Sequence, residues 1–514
     1  MLRLLFGAAF ASLLAACASP GARFAADLES SAAPVRDCAA WYAALDAAVA
    51  AAGVRDAQYA PVAGFPYLRV DRLLASLRDR AGSDPAALET WVDRLRELDF
   101  ESRRAEIGNL PRERVDTLPG MNRALGRGFA VYRTRECGTL LAARDLAQPG
   151  VREALLEAAQ VPDDYSTAMR VLGLYALTKV PFSKGVKRWE EETVVASHLA
   201  GATRERPGTV RVRYAPPGSH AVARRVIAEV LARARFDPLG QPQVSTHELQ
   251  ALAAAYAPVY DVEIAADYDR FGALRWGRDA AVPEVQAAHS VVYTLPAFTR
   301  YRGEILLQLV YVIWFPERPP SSGNDLLSGR LDGVVWRVTL ADDGEPLLYD
   351  TIHPCGCYHE FFPTARAHRR PAPDESEEWA FVPQPLPRVS EGEHPLLRIA
   401  SATHYVERVT LVPGADSLVR YELRPYDELR SLQRLDGGRR SAFGADGLVG
   451  GTERAERFLF WPMGIASAGA MRQWGRHATA FVGRRHFDDA DLIEKRFELD
   501  LGQGARAGDR AGDQ

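Results

Sequence analysis

The chain has 514 residues, a formal charge of −4 at pH 7, 25% charged and 47% hydrophobic residues, and five cysteines. That length allows two or three domains at about 150 residues each, and the composition is ordinary for a globular protein. A slightly acidic chain has no general attraction for nucleic acid, and no stretch offers the ~18 uninterrupted apolar residues of a spanning helix. Basic residues are almost all Arg, with Lys only at 179, 184, 187 and 495. Pairs such as Arg369-Arg370 or Arg484-Arg485 therefore reflect composition rather than phosphate sites.

The N-terminus reads MLRLLFGAAFASLLAACASP. Arg3 precedes an apolar run from Leu4 to Leu14, too short for a permanent span. The run ends in Leu14-Ala15-Ala16-Cys17, which resembles the lipobox of bacterial lipoproteins; the resemblance covers residues 1–20 only. It implies a signal peptide over 1–16, lipidation of Cys17 and a membrane partner through that lipid. Ala18, where Asp would signal retention, implies outer-membrane sorting with the body facing the periplasm or the cell surface. An ordinary secretory signal is the alternative. With Cys17 lipidated, Cys38, Cys137, Cys355 and Cys357 remain, and pairing is their default in an oxidising compartment.

Small, polar residues up to 36 read as a tether. From 37 to 207 the pattern is that of a helical domain. DCAAWYAALDAAVAAAG sets Trp41, Leu45, Ala48 and Val49 on one stripe and stops at Gly53. YAPVAGFPYLRVDRLLASL reads as a loop fixed by two Pro and Gly64, then a helix. DPAALETWVDRLRELDFESRRAEI opens with an Asp cap and Pro85, and aligns Leu88, Val92 and Leu95. PGVREALLEAAQVPDDY is a short further helix. Cys38 and Cys137 both fall in this region, which makes them the expected disulfide. LYALTKVPFSKGVKRWEEE, 174–192, concentrates three of the four Lys among Val180, Phe182, Val186 and Trp189. It reads either as a segment lying on a membrane surface or as a connector whose apolar residues pack between domains.

Residues 208–500 read as an α+β domain with a mixed, mainly antiparallel sheet, and 501–514 as a disordered tail. HAVARRVIAEVLARARF and THELQALAAAYAP, capped at Thr246, are its helices. Ile305 to Phe315 is apolar at nearly every position, hence a strand buried on both faces, in which Gln308 needs a partner. LDGVVWRVTLADDGEPLLYDTIH is a hairpin around Asp342-Asp343-Gly344. The fold class is thus α+β, a helical N-terminal domain followed by a β-rich one.

Chemistry concentrates in DTIHPCGCYHEFF, 350–362, where His353, Cys355, Cys357 and His359 recur at every second position. A straight strand would hold the two histidines about 20 Å apart, but Pro354 and Gly356 favour a turn that can gather the side chains. Two thiolates and imidazoles suit zinc or cuprous copper; His404, His477 and His486 are the distant residues that could complete such a set. Cys-x-Cys-x-His lacks the spacing of a c-type haem site. A strained, redox-labile Cys-x-Cys disulfide is the competing reading. THELQ lacks the second His of a zinc-protease helix, there is no Gly-x-Ser-x-Gly or P-loop, and ADYDRFG reads as a turn with exposed Asp rather than a calcium loop. Two function classes follow: a lipid-anchored protein with a Cys/His metal centre, open to catalysis, or a noncatalytic envelope scaffold or binding lipoprotein stapled by disulfides.

Overall fold

A computed structural model describes residues 32–200, 208–217, 224–233, 237–278, 281–374, 376–413 and 419–502. The signal segment, Cys17, most of the tether and the tail beyond Gly502 lie outside these residues. The chain forms two compact units, dividing between Pro162 and Asp163. That boundary precedes the expected 207/208. Helices beyond Pro162 pack on the β-rich part: Phe182 lies against Phe460, and Trp189 against Tyr358.

The first unit is built on α1 (Ala33–Ala52), α2 (Pro85–Asn109) and α3 (Gly126–Leu146). Helix α1 starts inside the expected tether because Pro34 suits a first turn; Gly53, at φ 64°, ends it. Asp84 caps α2 by accepting from the backbone N–H of Ala86 and Ala87. The segment expected as a loop is a hairpin, β1 (Ala60–Val62) and β2 (Phe65–Val70). Gly64 turns it at φ 85°, and the two Pro are accommodated in a strand pair without wider sheet neighbours. A disulfide joins Cys38 to Cys137, Cα atoms 5.0 Å apart, tying α1 to α3. Closing a loop of that length contributes up to ~4.7 kcal/mol in the chain-entropy description.

Beneath the hairpin lies an ionic cluster with no sequence pattern to announce it. Arg69 reaches Glu106 at 2.6 Å, while Arg103 reaches Asp99 at 3.2 Å and Glu106 at 3.1 Å. All four side chains are 5% exposed or less. The Asp56 N–H also donates to Glu106, at 3.0 Å.

The second unit opens with α4 (Thr167–Leu172) and α5 (Tyr175–Trp189), the latter continuing into a π-helical turn, Glu190–Val195. Then come β3 (Val210–Ala215), α6 (Arg224–Arg233), α7 (Thr246–Ala255) and β4 (Val259–Ile264). Ser245, rather than Thr246, caps α7, in a reciprocal box with Glu248. The main sheet uses β5 (Val291–Tyr301), β6 (Glu304–Arg318), β7 (Gly329–Leu340), β8 (Pro346–Ile352) and β9 (Glu360–Pro363). Next are β10 (Glu393–Ile399), β11 (Val406–Pro413), β12 (Val419–Arg420) and β13 (Glu422–Pro425). The six-stranded sheet runs β9-β8-β7-β6-β5-β13, antiparallel except for the β13–β5 pair. The five-stranded sheet runs β11-β10-β4-β3-β12, with parallel β10–β4 and β12–β3 pairs. The fold is α+β.

Strand β6 is buried on both faces. Leu309, Tyr311, Ile313 and Phe315 join Tyr260 and Val262 in one core, whereas Val310, Val312 and Trp314 enter another with Val335 and Trp474. Gln308 donates to Thr339 Oγ1 at 2.9 Å. Hairpin turns sit at Arg302-Gly303, both left-handed, and at Gly344 (φ 77°). No helix among the described residues is long and apolar enough to cross a membrane.

The ionic cluster of the first unit makes a direct prediction. Glu106→Ala leaves two buried guanidinium groups undercompensated and should lower unfolding free energy by ~3–5 kcal/mol. Removing the exposed partner of Arg135, Glu97→Ala, should cost no more than ~1 kcal/mol. Urea unfolding of the two variants measures both.

Candidate functional site

Strand β8 delivers the Cys/His stretch into a locked turn. The Gly356 N–H donates to His353 O at 2.8 Å, and the His353 N–H to Cys357 O at 2.9 Å. Gly356 sits at φ 93°, where a Cβ would lie 2.4 Å from Ala478 O, so only glycine fits. From the other side the Arg472 N–H donates to Pro354 O at 2.8 Å and its Nε to Cys355 O at 3.2 Å. Tyr358 follows in the left-handed region at φ 62°.

The turn places Cys355, Cys357, Tyr358 and His359 on the wall of a cavity of about 470 Å³ within the second unit. Trp189 and Phe182 of α5, Tyr405 beside β11, and Phe460 and Phe481 add aromatic rings to that wall. Trp189 packs on Tyr358 at 4.9 Å and Tyr405 at 5.6 Å between ring centroids. The chain thus spends aromatic surface on enclosing a space rather than filling it, the usual make-up of a small-molecule pocket.

Several polar groups also line this space, including Arg485, 3.7 Å from Glu378, and a number of them are perturbed by burial. Cys355 and Cys357 are free thiols. A hydrogen bond with Cys357 pulls the Cys355 thiol below its ordinary range despite burial, and the same bond pushes Cys357 up. Burial raises the carboxyls of Glu190 and Glu456 to about 7. It also raises Glu378, which accepts from the N–H groups of Phe481 and Val482. His359 is driven down to about 3 by burial. Its Nε2 meets Asp350 at 2.9 Å, while its buried Nδ1 has no hydrogen-bond partner among the described residues.

Behind the turn, Asp332 of β7 is completely buried and receives three basic side chains. His353 Nδ1 is 3.1 Å and His404 Nδ1 3.0 Å from its oxygens, and Arg454 Nη2 is 3.4 Å away. Burial alone would raise this carboxyl; Arg454 and the hydrogen bonds from the two imidazoles hold it well below the usual range, although burial lowers the pKa of His353 itself. His404 adopts φ 54°, stacks on Phe315 at 3.9 Å, and its Nε2 reaches Asp269 at 3.4 Å. Burial works against protonating His404, but its bonds to Asp269 and Asp332 outweigh it and raise its pKa. Asp269, expected exposed in a turn, is instead fully buried and accepts from Ser401 Oγ at 2.8 Å and the Ala402 N–H at 2.7 Å. Its neighbour Asp267 is exposed as expected.

The expected ligands therefore separate. Cys355, Cys357 and His359 share the cavity wall, and His353 and His404 share Asp332. His486 lies among Asp163, Asp164 and Asp489, and His477 is buried near Trp474. Among the described residues no group of three or more His, Cys, Asp or Glu is arranged to hold a metal ion. Each histidine has instead been claimed by a carboxylate or an aromatic ring of its own locality. Sequence reasoning missed Asp332, Glu456 and Glu190. Asp332 in a strand pattern, Glu190 at the head of a run of three Glu and Glu456 in a turn look like surface acids, and only their burial sets them apart. Comparison with protein-family models, with curated proteins and with solved structures found no match.

Proposed function

We propose that this chain is a lipid-anchored envelope binding protein whose second unit takes up a small, largely apolar ligand. The observation that carries the reading is the 470 Å³ cavity, largely apolar and with several aromatic rings in its wall, whose Glu190 and Glu456 carboxyls burial raises to about 7. Cys17 supplies the lipid in this reading, so the pocket works at the envelope membrane, facing the periplasm or the cell surface.

A neutral fluorescent probe such as N-phenyl-1-naphthylamine should bind in a saturable way. Val186→Trp, which fills the α5 side of the space, should weaken binding at least about tenfold while leaving the melting temperature within a few degrees. Unchanged probe affinity in that variant sinks the proposal. The affinity should also depend on pH in a definite direction. Glu190 and Glu456 are neutral below about 7 and ionise above it, and a bound apolar molecule denies the carboxylates water. Probe affinity should therefore fall between pH 6 and pH 8, by up to about tenfold per group per unit beyond its pKa, and Glu456→Gln should flatten the profile. A profile that rises with pH, or is untouched by Glu456→Gln, contradicts this role for the carboxyls.

A second reading rests on the contact between the thiols of Cys355 and Cys357. A cuprous ion is satisfied by two thiolates, whereas zinc asks for four ligands. In this reading the cavity floor binds one cuprous ion per chain. Titration under reducing conditions should show one ion bound and none in Cys355→Ser; equal binding in the variant rules it out.

A further inference from the structure

Helix α5 has two apolar faces, and only one is accounted for. Its inner face, with Phe182, Val186 and Trp189, walls the cavity. The outer positions are left open: Leu174 is 63% exposed, Leu177 70% and Val180 49%, and no residue of α5 is buried. Just before it Leu172 is 76% exposed, and beside it Phe458 and Leu459 are 71% and 52% exposed. The segments that carry these side chains adjoin. Gly173 lies so close to Pro462 that a Cβ would fall 2.6 Å from Pro462 Cα, and Phe182 and Phe460 touch at 5.5 Å.

The patch is held from behind. Arg170 of α4 donates to Met463 O at 2.8 Å and Gly483 O at 2.6 Å and lies under the rings of Tyr165 and Tyr175. A buried anchor on the inner side fixes α4 so that Leu172 stays outward. Of the apolar residues that the connector reading packs, Phe182, Val186 and Trp189 are part-buried, and Val180 is left exposed. Contiguous exposed apolar surface of this kind marks a contact with something else.

Charge decides what that is. Between Tyr175 and Trp189 there are four basic residues and no acid, and the exposed Glu191 and Glu192 come only in the π-helical turn beyond. Lys184, Lys187 and Arg188 are exposed and continue the outer stripe one and two turns past Val180. Apolar residues along one half of a helix face and basic residues along the other fit a lipid interface. There the hydrocarbon takes the first and anionic phosphates take the second. We propose that this face, made by Leu172, Leu174, Leu177, Val180, Phe458 and Leu459 with the flanking Lys and Arg, docks on an anionic lipid bilayer. It is a membrane contact separate from any N-terminal lipid, and it stands whether or not the cavity binds a ligand. Docking would leave the cavity one helix, ~10 Å, from the lipid.

Trp461, 38% exposed within the patch, provides the probe. The full chain carrying Cys17→Ser, so that no acyl anchor contributes, is mixed with vesicles containing brominated acyl chains. One set holds equal phosphatidylcholine and phosphatidylglycerol, the other phosphatidylcholine alone. The proposal predicts quenching of tryptophan emission that is much stronger with the anionic vesicles. Trp461→Phe should remove most of it, and Leu174→Glu/Leu177→Glu/Phe458→Glu should abolish it. Quenching that survives Trp461→Phe would assign attachment to another part of the chain and overturn the proposal. So would equal quenching by both vesicle types, or none. A dimer in vesicle-free solution that the triple variant splits would give the face to a second copy instead. Should the triple variant not fold, the Trp461→Phe comparison decides alone.

Discussion

A carboxylate sealed inside a protein must be compensated, and in this chain the way Asp332 is compensated organises the candidate site. It sits on β7, in a sheet whose neighbouring strand is buried on both faces, and has no access to solvent. Leaving it ionised and unpaired would cost several kcal/mol. Its three basic partners come from three distant parts of the chain, each next to a residue of the cavity wall. His353 lies two residues before Cys355, His404 one before Tyr405, and Arg454 two before Glu456. Satisfying one charge thus fixes the thiol turn, an aromatic wall and a buried acid at once. The left-handed backbone at Ala402, His404 and Tyr358 is the local strain this arrangement tolerates.

The same reasoning explains why the histidines do not assemble around the cysteines. A metal site asks for neutral imidazoles with free ring nitrogens converging on one point. A carboxylate on one ring nitrogen does not bar metal ligation by the other; convergence is what the histidines lack, because His353 and His404 turn to Asp332, with His404 Nε2 3.4 Å from Asp269, while His359 turns to Asp350. Asp350 is itself clasped by Arg337 at 2.9 and 2.5 Å. These are packing and charge solutions, and they leave the two thiols facing an apolar space.

Much of the fold was legible wherever a local rule governs. An eleven-residue apolar run, Ile305 to Phe315, demanded a strand covered on both faces. Asp-Asp-Gly at 342–344 demanded a turn, and Asp84-Pro85 a helix start. The Cys38–Cys137 pair followed from the helical texture around both residues. What was not legible depends on partners far apart in sequence. Asp269 read as a turn acid and Asp332 drew no reading, because nothing local reveals that His404 will lie between them. The β1–β2 hairpin was hidden by its prolines. The division at Pro162 was hidden because helical pattern continues across it, and long-range contacts such as those of Tyr175, Phe182 and Trp189 assign α5 to the second unit. Pro354 and Gly356 did announce a turn, but the cavity it lines is assembled from segments as distant as 181 and 485.

The central claim is that the space beside the thiol turn is a binding site and not a packing fault. The most direct test is a crystal structure of the chain soaked with a neutral, brominated aromatic compound, read by bromine anomalous scattering. The account predicts a bromine peak inside the cavity, bounded by Trp189, Tyr405 and Cys355, with the turn at Gly356 unmoved. Bromine located only elsewhere, or a cavity closed by collapse of α5 onto Cys357, would contradict it.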